Sequence, residues 1–245
     1  MNEPLPNYPI NDQMPETKRP VFLFDVDNTL LDNDRVTDAL KRFLLDEVGS
    51  ERTERYWTIF EELRKTLGYA DYLGALQEYR RQYPYDSHLL SVSNFLIDYP
   101  FANRLFPGSL DVIEKFQKYG TVVILTDGDA VFQPRKIERS GLGEAVKKNI
   151  LIYIHKEHEL ADIERRYPAE HYFLIDDKVR ILAAVKKQWH DRVTTVFVKQ
   201  GHYALDAETV SRFPAANIEV NRIGDLLDRD FEAVSFKLNQ AAVTS

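Results

Sequence analysis

The chain has 245 residues, of which 44% are hydrophobic and 29% charged, a balance typical of globular proteins. It contains no cysteine, which excludes disulfide bonds, thiol catalysis and cysteine-based zinc sites. The net charge of −7 argues against a protein that binds a nucleic-acid backbone. No apolar run is long enough to span a membrane, and the amino terminus lacks the apolar core of a signal peptide. We therefore expect a cytoplasmic protein that acts on small molecules.

The amino-terminal residues 1–18 predict a flexible arm, because they contain four prolines and show no hydrophobic periodicity. The apolar run Val21–Phe24 follows and predicts a short, buried parallel strand. Asp25 and Asp27 come directly after this strand. In open α/β sheets, ligands bind beyond the carboxyl ends of the strands, so these two carboxylates are the first candidates for a functional site.

The next segment, residues 34–99, has a purely helical pattern. Apolar residues recur every three or four positions over residues 36–48 and 56–67, and these runs end at Gly49 and Gly68. Two shorter helices are predicted after them. A single crossover helix is enough to connect two parallel strands, so we interpret this segment as an inserted all-helical cap. Because it begins beside the acidic cluster, we expect it to act as a lid.

The remaining part of the core, residues 100–229, alternates predicted strands with helical segments. The strands are predicted at residues 121–125, 150–154, 171–175, 194–198 and 217–220. This alternation predicts a doubly wound parallel sheet with right-handed crossovers. Together with residues 19–33, the segment forms the predicted Rossmann-like α/β core, and residues 230–245 are predicted to be a carboxyl-terminal tail.

Chemically useful side chains follow the other predicted strands. Thr126 follows the second strand, Lys156 the third, and the Asp176–Asp177 pair the fourth. All of them are expected to meet Asp25 and Asp27 at one edge of the sheet. Clustered carboxylates repel one another unless they hold a cation, and ligands that are all oxygen suit Mg²⁺. One carboxylate can then attack an electrophile, and a second can transfer a proton to the leaving oxygen.

The run Asp25-Val26-Asp27-Asn28-Thr29-Leu30-Leu31-Asp32 resembles the first motif of the haloacid dehalogenase superfamily. Thr126, Lys156 and the Asp176–Asp177 pair fall in the right order for the other three motifs of this family. Gln133 and Lys136 add to the resemblance, which covers residues 20–228. The helical insert lies where family members with a small helical cap carry it.

The resemblance implies a role for each carboxylate of the first motif. Asp25 would be the nucleophile and a Mg²⁺ ligand. Asp27 would be the general acid and base, with its backbone carbonyl on the metal. Family members that act as dehalogenases lack an acid at the position of Asp27, so the resemblance favours a phosphatase that acts on a small phosphorylated metabolite.

The other motifs would bind phosphate and metal. Thr126 would donate a hydrogen bond to a phosphoryl oxygen, helped by the backbone near Asp127 and Gly128. Lys156 would neutralise the charge of the nucleophile and the phosphate. The Asp176–Asp177 pair would complete the metal site, and which member contacts the metal is left open at this stage.

Two features depart from the pattern of the family. Glu157 follows the lysine where phosphatases of this type commonly have proline, and no further aspartate follows the Asp176–Asp177 pair within the next few residues. A calcium loop is excluded, because its sixth and twelfth positions would be Leu30 and Val36 instead of glycine and glutamate. The remaining alternatives are a phosphotransferase or mutase, a haloacid dehalogenase on the same scaffold, and a non-catalytic phosphate-binding or receiver-like protein.

Overall fold

The structure is a computed structural model that describes residues 19–229. The arm predicted for residues 1–18 and the tail predicted for residues 230–245 lie outside the described residues. The described residues form one sheet of six strands: β1 Val21–Phe24, β2 Thr121–Asp127, β3 Ile150–Tyr153, β4 Tyr172–Asp176, β5 Val193–Val198 and β6 Ile218–Val220. The strand order is β3-β2-β1-β4-β5-β6, and every neighbouring pair is parallel. The predicted parallel α/β sheet is confirmed.

Helices connect the strands and cover both faces of the sheet. They are α1 Asn33–Leu67, α2 Tyr72–Gln82, α3 Leu89–Asp98, α4 Ser109–Gln117, α5 Phe132–Ser140, α6 Leu142–Ala145, α7 Leu160–Arg166, α8 Val179–Trp189, α9 Gly201–Leu205 and α10 Ala207–Ser211. Short 3-10 turns occupy Phe101–Arg104, Lys156–His158, His190–Arg192 and Ile223–Asp228. Throughout residues 19–229, each helix is too short or too polar to cross a lipid bilayer.

Strand β1 lies at the centre of the sheet, with β2 on one side and β4 on the other. Its side chains alternate between two hydrophobic clusters: Phe22 and Phe24 pack on one face, Val21 and Leu23 on the other. The ring of Phe22 stacks on Phe173 with a centroid distance of 4.8 Å. Burial on both faces explains why this strand is a continuous apolar run, and it fixes the position of the residues that follow it.

The helical insert, α1–α3, lies between β1 and β2. Asp32 caps the start of its first helix, α1, because its side chain accepts a hydrogen bond from the Arg35 N–H. At Gly49 the backbone leaves the helical conformation (φ 79°, ψ 174°), which agrees with the predicted break, and the helix ends at Gly68 in the left-handed conformation. The insert packs on the core through Tyr72, whose ring lies 5.0 Å from that of Phe132 on α5.

Asp86, between α2 and α3, is a polar centre inside the insert. Its side chain is 1% exposed and accepts hydrogen bonds from the Tyr79 hydroxyl (2.6 Å), Arg52 Nη1 (2.9 Å), and both the backbone N–H and the ring Nδ1 of His88. Burial alone would raise the pKa of Asp86, but these donors outweigh it and lower the pKa to about 2. Asp86 therefore ties α1 to α2 and to the start of α3.

Candidate active site

The segment after β1 is a tight turn that presents Asp25 and Asp27. The Asp25 N–H donates to the carbonyl of Ile175 in β4 (2.9 Å), which extends the sheet to the first carboxylate. Asn28 has a positive φ of 62°, and its side-chain oxygen accepts hydrogen bonds from the first two N–H groups of α1. Gly201, with φ 71°, packs so closely on Asn28 that a Cβ there would overlap the asparagine side chain. The turn is therefore held by the sheet, by α1 and by α9.

Asp25, Asp176 and Asp177 form a compact acidic cluster. Each offers an oxygen within 4.8 Å of the others, and all three side chains are buried. Neither oxygen of Asp177 has a hydrogen-bond partner, and Oδ2 of Asp25 also lacks one. Burial raises the pKa of Asp177 well above its ordinary value, and the charges of Asp176 and Asp25 raise it further. The two donor-free oxygens of Asp177 fit the ligand set of a divalent cation.

Lys156 lies between two of these carboxylates. Its Nζ is 2.6 Å from Oδ1 of Asp25 and 2.7 Å from Oδ2 of Asp176. Burial would lower the pKa of Lys156, but the two carboxylates raise it well above its ordinary value, so the side chain stays charged. Asp176 is held by this ion pair and by the Lys178 N–H (2.7 Å), whereas Asp177 is not. The geometry thus distinguishes the two members of the pair, because Asp176 is held by donors and Asp177 is not.

Helix α5 brings two side chains to Asp27 and Thr126. Gln133 Nε2 donates to the Thr126 hydroxyl (2.9 Å) and lies 3.5 Å from Oδ2 of Asp27. Lys136 Nζ lies 2.6 Å from Oδ1 of Asp27 and 3.0 Å from Oδ1 of Asn33. From the sequence alone, Gln133 and Lys136 had no assigned role. Their spacing of three residues, which puts both side chains on one face of a helix, is the pattern that could have indicated one.

Asp127 and Gly128 support the site in a different way from the one expected. Oδ1 of Asp127 accepts the Lys156 N–H (2.7 Å), and burial raises the pKa of this carboxyl. The Gly128 N–H donates to the carbonyl of Tyr153 (2.9 Å), so this donor is already engaged and does not point to a phosphoryl group. A Cβ at Gly128 would lie 2.7 Å from the Cβ of Gln133. The glycine therefore makes room for Gln133.

The loop that carries Lys156 is held by α8. Glu157, which takes the place of the family proline, is buried and forms an ion pair with Arg180. Its carbonyl accepts a hydrogen bond from Gln188 Nε2 (3.2 Å). An ion pair and a backbone hydrogen bond thus fix the loop without the rigid ring of proline.

The rim of the site joins the core to the insert. Lys178 Nζ lies 5.1 Å from the ring centre of Tyr203 on α9, and Arg64 Nη1 of α1 donates to the Tyr203 hydroxyl (2.8 Å). Burial would lower the pKa of Lys178, but Asp177 and Asp25 raise it. The core and the insert therefore meet beside the acidic cluster.

The charges at this edge are not balanced by the protein. In the described part of the chain, five carboxylates face three lysine ammonium groups, which leaves two formal negative charges. The carboxylates are those of Asp25, Asp27, Asp127, Asp176 and Asp177, and the ammonium groups are those of Lys136, Lys156 and Lys178. This excess of carboxylates, together with the oxygens of Asp177 that have no donor, favours the binding of a cation.

Comparison with known families identifies the family of this chain. Residues 20–162 match the family model described as haloacid dehalogenase-like hydrolase. A crystal structure from Burkholderia xenovorans LB400, described as a haloacid dehalogenase-like hydrolase, shares 56% sequence identity with a TM-score of 0.83. The match covers 87% of this chain and 99% of that one. The chain belongs to the haloacid dehalogenase-like hydrolases, and it is a hydrolase with the six-stranded α/β fold of that family. No curated protein sequence matches it.

More distant structures share the fold. The hydrolase YfnB of Bacillus subtilis, bound to magnesium, has 18% identity and a TM-score of 0.57 over 85% of this chain and 97% of that one. The L-2-haloacid dehalogenase of Xanthobacter autotrophicus has 18% identity and a TM-score of 0.55 over 85% of this chain and 96% of that one. At this level of identity the likeness extends to the fold and no further.

Proposed function

We propose that this hydrolase is a Mg²⁺-dependent cytoplasmic phosphatase that acts on the phosphomonoester of a small metabolite. The observation that supports the proposal is the second carboxylate, Asp27. It lies two residues after Asp25, and a quarter of its side chain is exposed at the site. A phosphomonoester needs an acid to protonate its leaving alcohol, whereas a halide leaves without one.

The proposed reaction proceeds in two steps on Asp25. An oxygen of Asp25 attacks phosphorus, and the bond to the leaving oxygen breaks as Asp27 donates a proton to it. This step gives the free alcohol and an aspartyl phosphate. Asp27, now a carboxylate, takes a proton from water, and the resulting nucleophile attacks phosphorus to release inorganic phosphate and restore Asp25. Oδ2 of Asp25, which has no hydrogen-bond partner, is the oxygen available for attack.

The neighbouring residues orient and neutralise the phosphoryl group in this scheme. Lys156 holds the other oxygen of Asp25 and offsets negative charge. The hydroxyl of Thr126, positioned by Gln133, donates a hydrogen bond to a phosphoryl oxygen. Asp25 and Asp177, with Asp176 beside them, would hold Mg²⁺, and the ion would supply positive charge to the phosphoryl oxygens. The helical insert would exclude water from the first step.

Haloacid dehalogenation is the second candidate, because one structural neighbour is an L-2-haloacid dehalogenase. The two activities give different products. A dehalogenase would release chloride from 2-chloropropionate, whereas the proposed phosphatase would release phosphate only when Mg²⁺ is present. We expect no chloride release, because the site holds the extra acid that this reaction does not need.

The test is a phosphate-release screen over nucleotides, sugar phosphates and small phosphorylated acids, with Mg²⁺ or with EDTA. Asp25→Asn should abolish turnover, and Asp27→Asn should lower it by roughly 10²–10⁴-fold while the fold stays intact. Asp38→Asn, an exposed carboxylate on α1, is the matched control and should keep wild-type activity. Wild-type turnover in Asp25→Asn, or chloride release without phosphate release, would disprove the proposal.

A further inference from the structure

Lys136 is a buried cation that the reaction scheme above does not use. Its side chain is 1% exposed and lies on α5, which follows Thr126 along the chain. Burying an ammonium group costs free energy unless it is paired and hydrogen-bonded. Its partners are therefore informative. They are Oδ1 of Asp27 at 2.6 Å and Oδ1 of Asn33 at 3.0 Å, and the ring of Phe132 lies 5.0 Å away.

Both oxygens of Asp27 face α5. Lys136 contacts Oδ1, and Gln133, one turn earlier on the helix, approaches Oδ2 at 3.5 Å. Asp25, in contrast, is held by Lys156, in the segment that follows β3. The two catalytic carboxylates thus have separate lysines on separate elements, and the orientation of Asp27 depends on α5.

The same lysine is connected to the helical insert. Asn33 is the first residue of α1, and its Nδ2 donates to the Tyr72 hydroxyl at 3.4 Å. That hydroxyl also lies 2.9 Å from the Thr37 hydroxyl. Tyr72 also packs on Phe132 of α5, so the insert contacts α5 both through this ring pair and through the Asn33–Lys136 hydrogen bond.

We propose that Lys136 is the positioning residue for Asp27. It fixes the direction of the Asp27 carboxylate toward the leaving group, and through Asn33 it makes that direction depend on the seating of the helical insert. The inference rests on the proposed phosphatase function. It assigns a separate function to each buried lysine: Lys156 serves the nucleophile and Lys136 serves the proton donor.

The test compares two classes of ester in Lys136→Met. A primary alkyl phosphate has a poor leaving group that needs a proton, whereas p-nitrophenyl phosphate has a leaving group that departs as an anion. We expect kcat for the alkyl ester to fall about 10- to 100-fold, the cost of a misplaced catalytic group, with KM changed little. The fall in kcat for p-nitrophenyl phosphate should be several times smaller. Asn33→Ala should show the same pattern more weakly.

Two controls separate positioning from general damage. Lys115 on α4 donates to the backbone carbonyls of Leu226, Leu227 and Arg229. Lys115→Met therefore removes a structural lysine that does not contact Asp27, and it should lower kcat equally for the two esters. The double variant Asp27→Asn/Lys136→Met should be no slower than Asp27→Asn alone, because the two residues act as one unit. Equal losses on both esters in Lys136→Met, or additive losses in the double variant, would overturn the proposal.

A structural measurement decides the inference even if the enzyme hydrolyses no phosphomonoester. Crystal structures of the wild type and Lys136→Met should show the Asp27 carboxylate turned away from Gln133 in the variant. An unchanged Asp27 side chain would overturn the positioning function. Absence of phosphate release from wild-type protein, in contrast, would overturn the proposed function and leave this comparison intact.

Discussion

Asp177 and Asp86 are both buried aspartates, yet their surroundings are opposite. Asp86 in the insert accepts hydrogen bonds from three side chains and one backbone N–H, and its pKa is lowered. Asp177 at the sheet edge has no donor within the described residues, and its pKa is raised. Both side chains are buried, but one links parts of the insert and the other offers two oxygens without donors at the sheet edge.

The contrast shows how to recognise a functional carboxylate in a folded protein. A buried charge that stabilises the fold is surrounded by donors, because an unpaired one would be destabilising. A buried carboxylate without donors is stable only when a group outside the chain, such as a cation, neutralises it. The comparison predicts opposite consequences for the two Asp→Asn variants.

The largest effect is expected for Asp177→Asn. Turnover with Mg²⁺ should fall by roughly 10²–10³-fold, because a charged ligand is lost from the electrostatic centre of the site. In EDTA, however, the melting temperature should rise by about 2–4 °C, because a neutral amide replaces a carboxylate that has no donor. Thermal unfolding with and without Mg²⁺ measures both parts. A fall in melting temperature in EDTA would show that Asp177 is a structural residue.

The second effect is expected for Asp86→Asn and has the opposite pattern. The amide directs a donor at groups that are themselves donors, so the free energy of unfolding should fall by about 2 kcal/mol. The value of kcat should stay within about twofold of wild type, because Asp86 belongs to the insert and not to the sheet edge. Urea unfolding and steady-state kinetics measure the two quantities. A large loss of kcat without a loss of stability would place Asp86 in the catalytic machinery.

The smallest expected effect concerns how the stability difference between wild type and Asp86→Asn changes with pH. The pKa of Asp86 is lowered from its ordinary 3.8 to about 2, so its contribution is fully present above pH 4. It is lost as the pH falls through the folded value, because the native carboxyl then takes up its proton. The stability difference between wild type and Asp86→Asn should therefore narrow between about pH 4 and pH 2. A difference that stays constant down to pH 2 would contradict the assigned donors.

The sequence predicted which side chains meet at this edge of the sheet, because the carboxyl ends of parallel strands converge. Asp25, Thr126, Lys156 and the Asp176–Asp177 pair each lie at or after the end of a strand, and a sheet with the predicted topology brings them together. The helices of the insert were predictable because their apolar residues repeat with the helical period, and Gly49 and Gly68 mark the ends of those repeats.

Other features depend on three-dimensional contacts that no local pattern encodes. The sequence did not distinguish Asp176 from Asp177, because the difference depends on which carboxylate Lys156 reaches. Strand β4 includes Asp176, one residue beyond the predicted end, so the two side chains leave the strand in different directions. Lys136 was missed as an Asp27 partner because its contact depends on how α5, in the connection between β2 and β3, packs against the sheet, and no sequence pattern encodes that packing.

Gly201 has a consequence for the mutational tolerance of this protein. It carries no reactive group, yet the side chain of Asn28, in the turn that follows Asp27, occupies the space that any side chain at position 201 would need. In a saturation library selected for activity, position 201 should therefore reject substitutions even though glycine contributes no reactive group. In such a library, a position can be depleted because a substitution distorts the turn that holds the aspartates, and not only because it removes a reactive group.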